Sequence, residues 1–362
     1  MVEFEKGLVA RGSWGKLQQC MKKAAAGEPV TLAFLGGSIT QGSLASAAEN
    51  CYAYRVFKWW QETFPESKMT FVNAGIGGTT SQFGVARVGE DVLSYEPDFV
   101  LMEFSVNDEN TPHFRETYEG LVRSLLKSGC ALMLMNNVCY DSGNSAEEMH
   151  LQVARHYSLP SVSMKSTLYA ALQRGELKNR DITPDDLHPN DLGHQLVAKV
   201  ITHFLEQVRS APWEAAQEGP LPAPLTANRY EGSRRYQAHN STPVLQGFLP
   251  DTAPQNHITE IFRKGFTAWE KGACATFSVT GTCIGVQYRK SVTQPTPIAR
   301  ITVDGEHAML LDGNFKETWG DCLYLDTVAE GLENKEHTVT IELVQTHEDD
   351  KVPFYLVSVI GS

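Results

Sequence analysis

The sequence predicts a three-layer α/β domain built on a parallel sheet, followed by an antiparallel β-sandwich. Three observations carry this. From Pro29 to about Arg209, short β-rich runs alternate with helical patterns, as right-handed βαβ units require. Residues 211–225 (APWEAAQEGPLPAPL) contain four prolines, which stop a helix and suit an extended linker or strap. Beyond them the pattern changes to period-two runs separated by turn residues. At 362 residues the chain is too long for one compact core. The expected organisation is therefore a first domain over 1–210, a linker over 211–225 and a second domain over 226–362.

The strands of the first domain read as VTLAFLG (30–36), MTFVNAG (69–75), DFVLMEF (98–104), ALMLMNNV (131–138) and a short LPSVSM (159–164). Between the first two, Ala53, Val56, Phe57, Trp60 and Phe64 fall at helical spacing and line one apolar face. A last helix is expected from near Asn190 to Arg209. In the second domain, ATFSVTGTCIGVQYR, PIARITVDG, DCLYLDTV, HTVTIELVQ and PFYLVSVIGS alternate as strands, with a hairpin-like turn at Asp304-Gly305.

Composition narrows the partners. Lys and Arg total 31 against 43 Asp and Glu, a formal charge of -12, so nucleic acid and anionic membranes would be repelled. Charges scattered through the first thirty residues leave no signal-peptide core, and no run approaches a membrane span, so a cytoplasmic location is expected. The seven cysteines are odd in number and lack a C-x-x-C pair, which reads as buried thiols rather than disulfides or a zinc cluster.

Chemistry concentrates at strand ends. The first strand runs into Gly36-Gly37-Ser38-Ile39-Thr40, which leaves a hydroxyl at its C-terminal end, although a tight turn with Ser as helix cap fits the same residues. The P-loop lysine is missing, since Ser43 follows Gly42, and Thr40 replaces the last glycine of G-x-S-x-G. The second strand ends in Gly75-Ile76-Gly77-Gly78-Thr79 and the third in Ser105-Val106-Asn107-Asp108. With a flavodoxin-like strand order 2-1-3-4-5, these ends are neighbours at the topological switch. Ser38 N–H, Gly78 N–H and the Asn107 amide would then converge as three donors for a developing oxyanion. In Thr183-Pro184-Asp185-Asp186-Leu187-His188-Pro189, a stiff turn holds a carboxylate near the His188 imidazole, leaving Nε2 for the Ser38 proton. Spacing alone leaves Asp185 and Asp186 open. Asp191 and His194 crowd the same segment, but the histidine spacing matches no helical metal-ligand pair, so no metal is expected and His194 is read as structural.

Taken together, these blocks resemble the SGNH (GDSL-type) hydrolase superfamily, from about Thr31 to about Lys199. The resemblance implies Ser38 as nucleophile, His188 as base and acid, Asp185 as its orienter, and Ser38 N–H, Gly78 N–H and Asn107 as the oxyanion hole. It implies no cofactor. Two blocks depart from the pattern: Gly-Asp-Ser-Leu reads Gly-Gly-Ser-Ile, and Gly-x-Asn-Asp reads Ser105-Val106-Asn107-Asp108. The GGSIT opening, Trp59-Trp60, GIGGTTS, SVND and the C-terminal β-domain are similar to bacterial carbohydrate acetylesterases. Among these the chain resembles the mannan O-acetylesterase group, with its carbohydrate-binding-module-like, jelly-roll-like β-domain, which implies mannan as the first expected substrate and xylan as the next.

The expected substrate is thus an acetylated neutral oligosaccharide. A homodimer follows from family analogy only. Trp319, in the glycine-bounded loop Gly313–Gly320, offers an indole face for a sugar ring, and packing between domains is its other reading. Two alternatives remain, a lipid or thioester acylhydrolase on the same site and a carbohydrate-binding protein with an inactive hydrolase domain.

Overall fold

Continuous apolar runs such as VTLAFLG form strands buried on both faces, and the computed structural model, which describes residues 2–216, 219–317 and 320–362, arranges them accordingly. The chain divides after Glu231 into two units. In the first, β2 (Val30–Gly36), β3 (Met69–Gly75), β4 (Phe99–Glu103), β5 (Ala131–Asn136) and β6 (Ser161–Ser163) are parallel in the order β3-β2-β4-β5-β6. This is the 2-1-3-4-5 order expected of the five parallel strands. One strand escaped the sequence reading: β1 (Leu8–Ala10) adds an antiparallel edge beside β6. Its three residues are all half-buried, so it has no alternation to reveal it.

Alternate strand residues point to opposite faces. Leu32, Phe34, Phe99, Leu101, Met133 and Met135 join the core under α1 (Gly15–Ala25), α3 (Tyr52–Thr63) and α9 (Asp191–Ser210). Their neighbours Ala33, Leu35, Val100, Met102, Leu132 and Leu134 are buried on the other side, where α4 (Ser81–Asp91), α5 (Pro112–Lys127) and α6 (Glu147–His156) pack in sequence. The expected face of α3 is buried in full, from Ala53 through Phe64. Asn190 caps α9, its Oδ1 accepting the Gly193 N–H at 3.0 Å, which fixes where the helix begins. Three one-turn helices, α2 (Ser38–Gln41), α7 (Ala170–Gln173) and α8 (Asn179–Ile182), also belong to this unit.

The proline-rich segment behaves as a strap. Leu225 and Thr226 donate their N–H groups to the Glu119 carboxylate, Arg123 donates to the Pro222 carbonyl at 2.9 Å, and Tyr230 is buried. Residues 220–231 therefore pack with the first unit, which carries the division of the chain past the expected linker at 211–225 to Glu231.

The second unit pairs two antiparallel sheets. One runs β15 (Cys322–Ala329), β12 (Ile284–Lys290), β17 (Phe354–Gly361), β10 (Phe266–Ala268), β9 (Leu249–Pro250), with β7 (Arg234–Tyr236) also on β17. The other runs β14 (His307–Asp312), β13 (Ile298–Val303), β16 (Lys335–Gln345), β11 (Cys274–Gly281), β8 (Val244–Gln246). Phe277, Val279, Ile301 and Ile341 from one sheet meet Ile284, Val286, Tyr288 and Leu356 from the other in a shared core, which makes the unit a sandwich. Asp304 and Gly305 both take positive φ and close the β13–β14 hairpin. The strands missing from the sequence reading (β7 to β10 and β14) are short or lie at edges. Edge strands bury little, as the exposed Val244, Leu249 and Leu310 show. Of the seven cysteines, Cys139, Cys274 and Cys322 are only half-buried, which corrects the reading that all are buried thiols. Among the described residues, no helix is long and apolar enough to cross a membrane. Trp319 lies outside the described residues.

Candidate active site

β2 ends at Gly36 and the chain turns at once into α2, which places Ser38 at the first helical position. Ser38 Oγ lies 2.8 Å from His188 Nε2, and His188 Nδ1 lies 2.7 Å from Asp185 Oδ2. The turn that holds them is folded around one carboxylate. Asp185 Oδ1 accepts the His188 N–H at 2.8 Å, the Leu187 N–H at 3.1 Å and the Thr183 hydroxyl at 3.1 Å. Partial burial pushes the Asp185 carboxyl up, but hydrogen bonds from the His188 ring and from the His188 and Leu187 N–H groups outweigh it and hold it down at about 2.

The choice between Asp185 and Asp186 is made by the backbone. Asp186 sits at φ 69°, in the left-handed region, and its carboxylate turns to Asn179 and to Arg180, the latter at 2.8 Å. Its carbonyl accepts the Tyr140 N–H at 2.7 Å. Asp185 alone of the two faces His188.

The parallel register brings the flanking loops to the same edge, since Gly36 pairs with Gly75 on one side and Glu103 on the other. Gly37 backs onto the Asn107 carboxamide, where an added Cβ would meet Oδ1 at 2.4 Å. Gly75 packs on the nucleophile turn: a Cβ there would lie 2.1 Å from the Gln41 nitrogen, so only glycine fits. Gly78 takes φ +69°, with nothing within 4 Å of where a Cβ would stand. Ser38, Gly78 and Asn107 thus occupy the ends of three neighbouring strands.

Support beneath this edge was not legible in the sequence. Arg87, fully buried in α4, pairs with Asp91 at 2.9 Å and donates to the carbonyls of Gly36 (3.2 Å) and Ala74 (2.8 Å), tying together the strand ends that lead to Ser38 and Gly78. Asp108 accepts the Ser81 N–H at 2.9 Å and lies 3.1 Å from His150 Nε2, whose ring stacks on Tyr118 with centroids 3.6 Å apart. Ser105, which departs from the glycine of the family block, donates its N–H to the buried Glu103 carboxyl at 2.8 Å, and burial raises the Glu103 pKa. A cation among apolar residues of a helix, as in Phe83-Gly84-Val85-Ala86-Arg87-Val88, is the signal that marks Arg87.

The crowded segment after His188 is also accounted for by protein partners. Asp191 accepts the Ser46 N–H at 2.8 Å, while His194 accepts the Tyr52 N–H at Nδ1 (3.3 Å) and faces the Ser43 carbonyl with Nε2 (3.2 Å). Burial depresses the His194 pKa to about 4. Because the folded form resists protonation, its contribution to stability is present above about pH 6.5 and is lost as pH falls toward 4, up to about 3 kcal/mol. We predict that the thermal midpoint falls over this window and that His194→Gln flattens the fall; an equal slope in both proteins would refute the assignment.

Residues 34–196 match the sequence model of the GDSL-like lipase/acylhydrolase family. A solved two-domain esterase active on acetylated mannans is 55% identical, over 100% of this chain and 99% of its own, with a TM-score of 0.97. A structure of such an esterase co-crystallized with mannopentaose matches at 55% identity, over 100% of this chain and 98% of its own, with a TM-score of 0.96. An acetylxylan esterase of Geobacillus stearothermophilus is 27% identical over 209 residues, 49% of this chain and 93% of its own.

Proposed function

Given that the chain belongs to the GDSL-like lipase/acylhydrolase family and is a carboxylic ester hydrolase, we propose that it removes O-acetyl groups from mannan-type oligosaccharides through a serine acetyl-enzyme. The observation that carries the substrate class is the 55% identity, across the whole chain, to an esterase active on acetylated mannans. Ser38 Oγ attacks the acetyl carbonyl while His188 Nε2, 2.8 Å away, takes its proton. Asp185 holds the Nδ1–H tautomer and stabilises the imidazolium. The Ser38 N–H, Gly78 N–H and Asn107 Nδ2 receive the negative charge on the carbonyl oxygen. His188 then protonates the departing sugar hydroxyl, and water, activated by the same imidazole, releases acetate and frees Ser38.

Asn107 Oδ1 is buried on the side of Gly37, without a partner among the described residues, and the carboxamide is proposed to offer Nδ2 to the reaction. Asn107→Ala is expected to lower kcat by about 10² to 10³ with little change in KM. A loss below about threefold would remove Asn107 from the hole.

The reading is tested by acetate release from acetylated mannan, xylan and glucan oligosaccharides, with Ser38→Ala as blank and aryl acetate, butyrate and octanoate as a chain-length series. Faster release from mannan and preference for acetate are expected. Preference for octanoate would favour a lipid or thioester acylhydrolase instead. Trp319 is proposed as a sugar contact, so Trp319→Ala should weaken turnover of oligosaccharide relative to aryl acetate. Equal effects on both would remove that contact.

A further inference from the structure

We propose that Gln41 is a positioning residue of the oxyanion site: its carboxamide captures the Gly77 N–H and leaves the adjacent Gly78 N–H to face the reacting carbonyl oxygen. This rests on the reading of Ser38 as nucleophile.

The end of β3 and the loop leaving it carry four successive N–H groups, of Gly75 through Gly78, and three have partners in the protein. Gly75 N–H donates to Asn73 Oδ1 at 2.9 Å, Ile76 N–H to the Gly36 carbonyl at 3.0 Å, and Gly77 N–H to Gln41 Oε1 at 2.7 Å. For the Gly78 N–H no partner is found among the described residues. The donor to Gln41 is a backbone N–H, so the carboxamide must present its oxygen, and its orientation is fixed by chemistry. Gly77 itself lies against the nucleophile: a Cβ on it would stand 3.1 Å from Gln41 Oε1 and 3.6 Å from Ser38 Cβ.

Gln41 is also rooted in the element that carries the nucleophile. It closes the single turn of α2, its N–H donating to the Gly37 carbonyl at 3.0 Å. One side-chain hydrogen bond therefore ties Gly77, next to Gly78, directly to the element that carries Ser38. Two consecutive glycines have broad conformational freedom, so without that bond Gly78 spends part of its time out of alignment. The hydrogen bond matters most when charge develops on the carbonyl oxygen, so its loss falls on kcat rather than KM.

The test uses the full chain and Gln41→Met, which keeps the length and lacks the acceptor, with Gln41→Ala as a second variant. Gln41 is exposed, so neither opens the core. Kinetics on aryl acetate and an acetylated mannan oligosaccharide are read beside the affinity for a small boronic acid, which forms a tetrahedral anion on serine. Both variants should lower kcat about tenfold on both substrates, less than the loss of a whole donor. Boronate affinity should fall by a similar factor while KM and the thermal midpoint hold. Wild-type kcat and boronate affinity would overturn the proposal, as would a KM increase confined to the oligosaccharide, which marks a sugar contact, or a kcat loss that only follows a lowered thermal midpoint. Ser38→Ala in the same assay separates the two readings: activity there removes the nucleophile assignment, whereas an inactive Ser38→Ala beside a wild-type-like Gln41→Met removes only the role of Gln41.

Discussion

Ser38→Ala is expected to reduce acetate release by a factor on the order of 10⁶, with folding intact. The alanine removes the atom that forms the acetyl-enzyme, and Thr40, the other hydroxyl of α2, is bonded to the Tyr52 phenol at 2.8 Å. Measured by burst release of an aryl alcohol and by mass of the trapped acetyl-enzyme, the wild type should show both and the variant neither. Retention of more than roughly one part in a hundred of the activity would sink the serine mechanism.

Asp185→Asn is the second large effect, expected to lower kcat by about 10³ to 10⁴. The carboxylate accepts from His188 Nδ1 at 2.7 Å while its other oxygen takes two backbone N–H groups. An amide in its place sets a donor against Nδ1 or breaks the turn, and either disfavours the tautomer with Nε2 free. Asp186→Asn, one residue on, is the control: its partners are Asn179 and Arg180, so a loss below about fivefold is expected. A reversal of the two effects in steady-state kinetics would reassign the triad.

Much of this frame is local in origin and so was legible. Gly36-Gly37-Ser38 follows an apolar strand, Asn190 begins a helix with the right cap, and Ala53 through Phe64 repeat at helical spacing. Such signals depend on residues a few positions apart. The edge strands were not legible for the same reason in reverse: Leu8–Ala10 and Val244–Gln246 bury too little to show a period. Nor was the chain's division at Glu231, because Glu119, more than a hundred residues earlier, decides where the strap is held.

Sequence by itself determined the alternation of strands and helices, the three blocks at strand ends that carry Ser38, Gly78 and Asn107, and the turn before the last helix that carries His188. Spacing left two aspartates open and the family resemblance named Asp185; tertiary structure shows that carboxylate facing His188, and it alone decided which glycine N–H Gln41 takes and how Arg87 and the Asp108–His150 pair lie beneath the loops. The reason is physical. Strand and helix periods are written in neighbouring residues, but the partner of a polar group is chosen by directional bonds between atoms that only the folded chain brings within about 3 Å of each other.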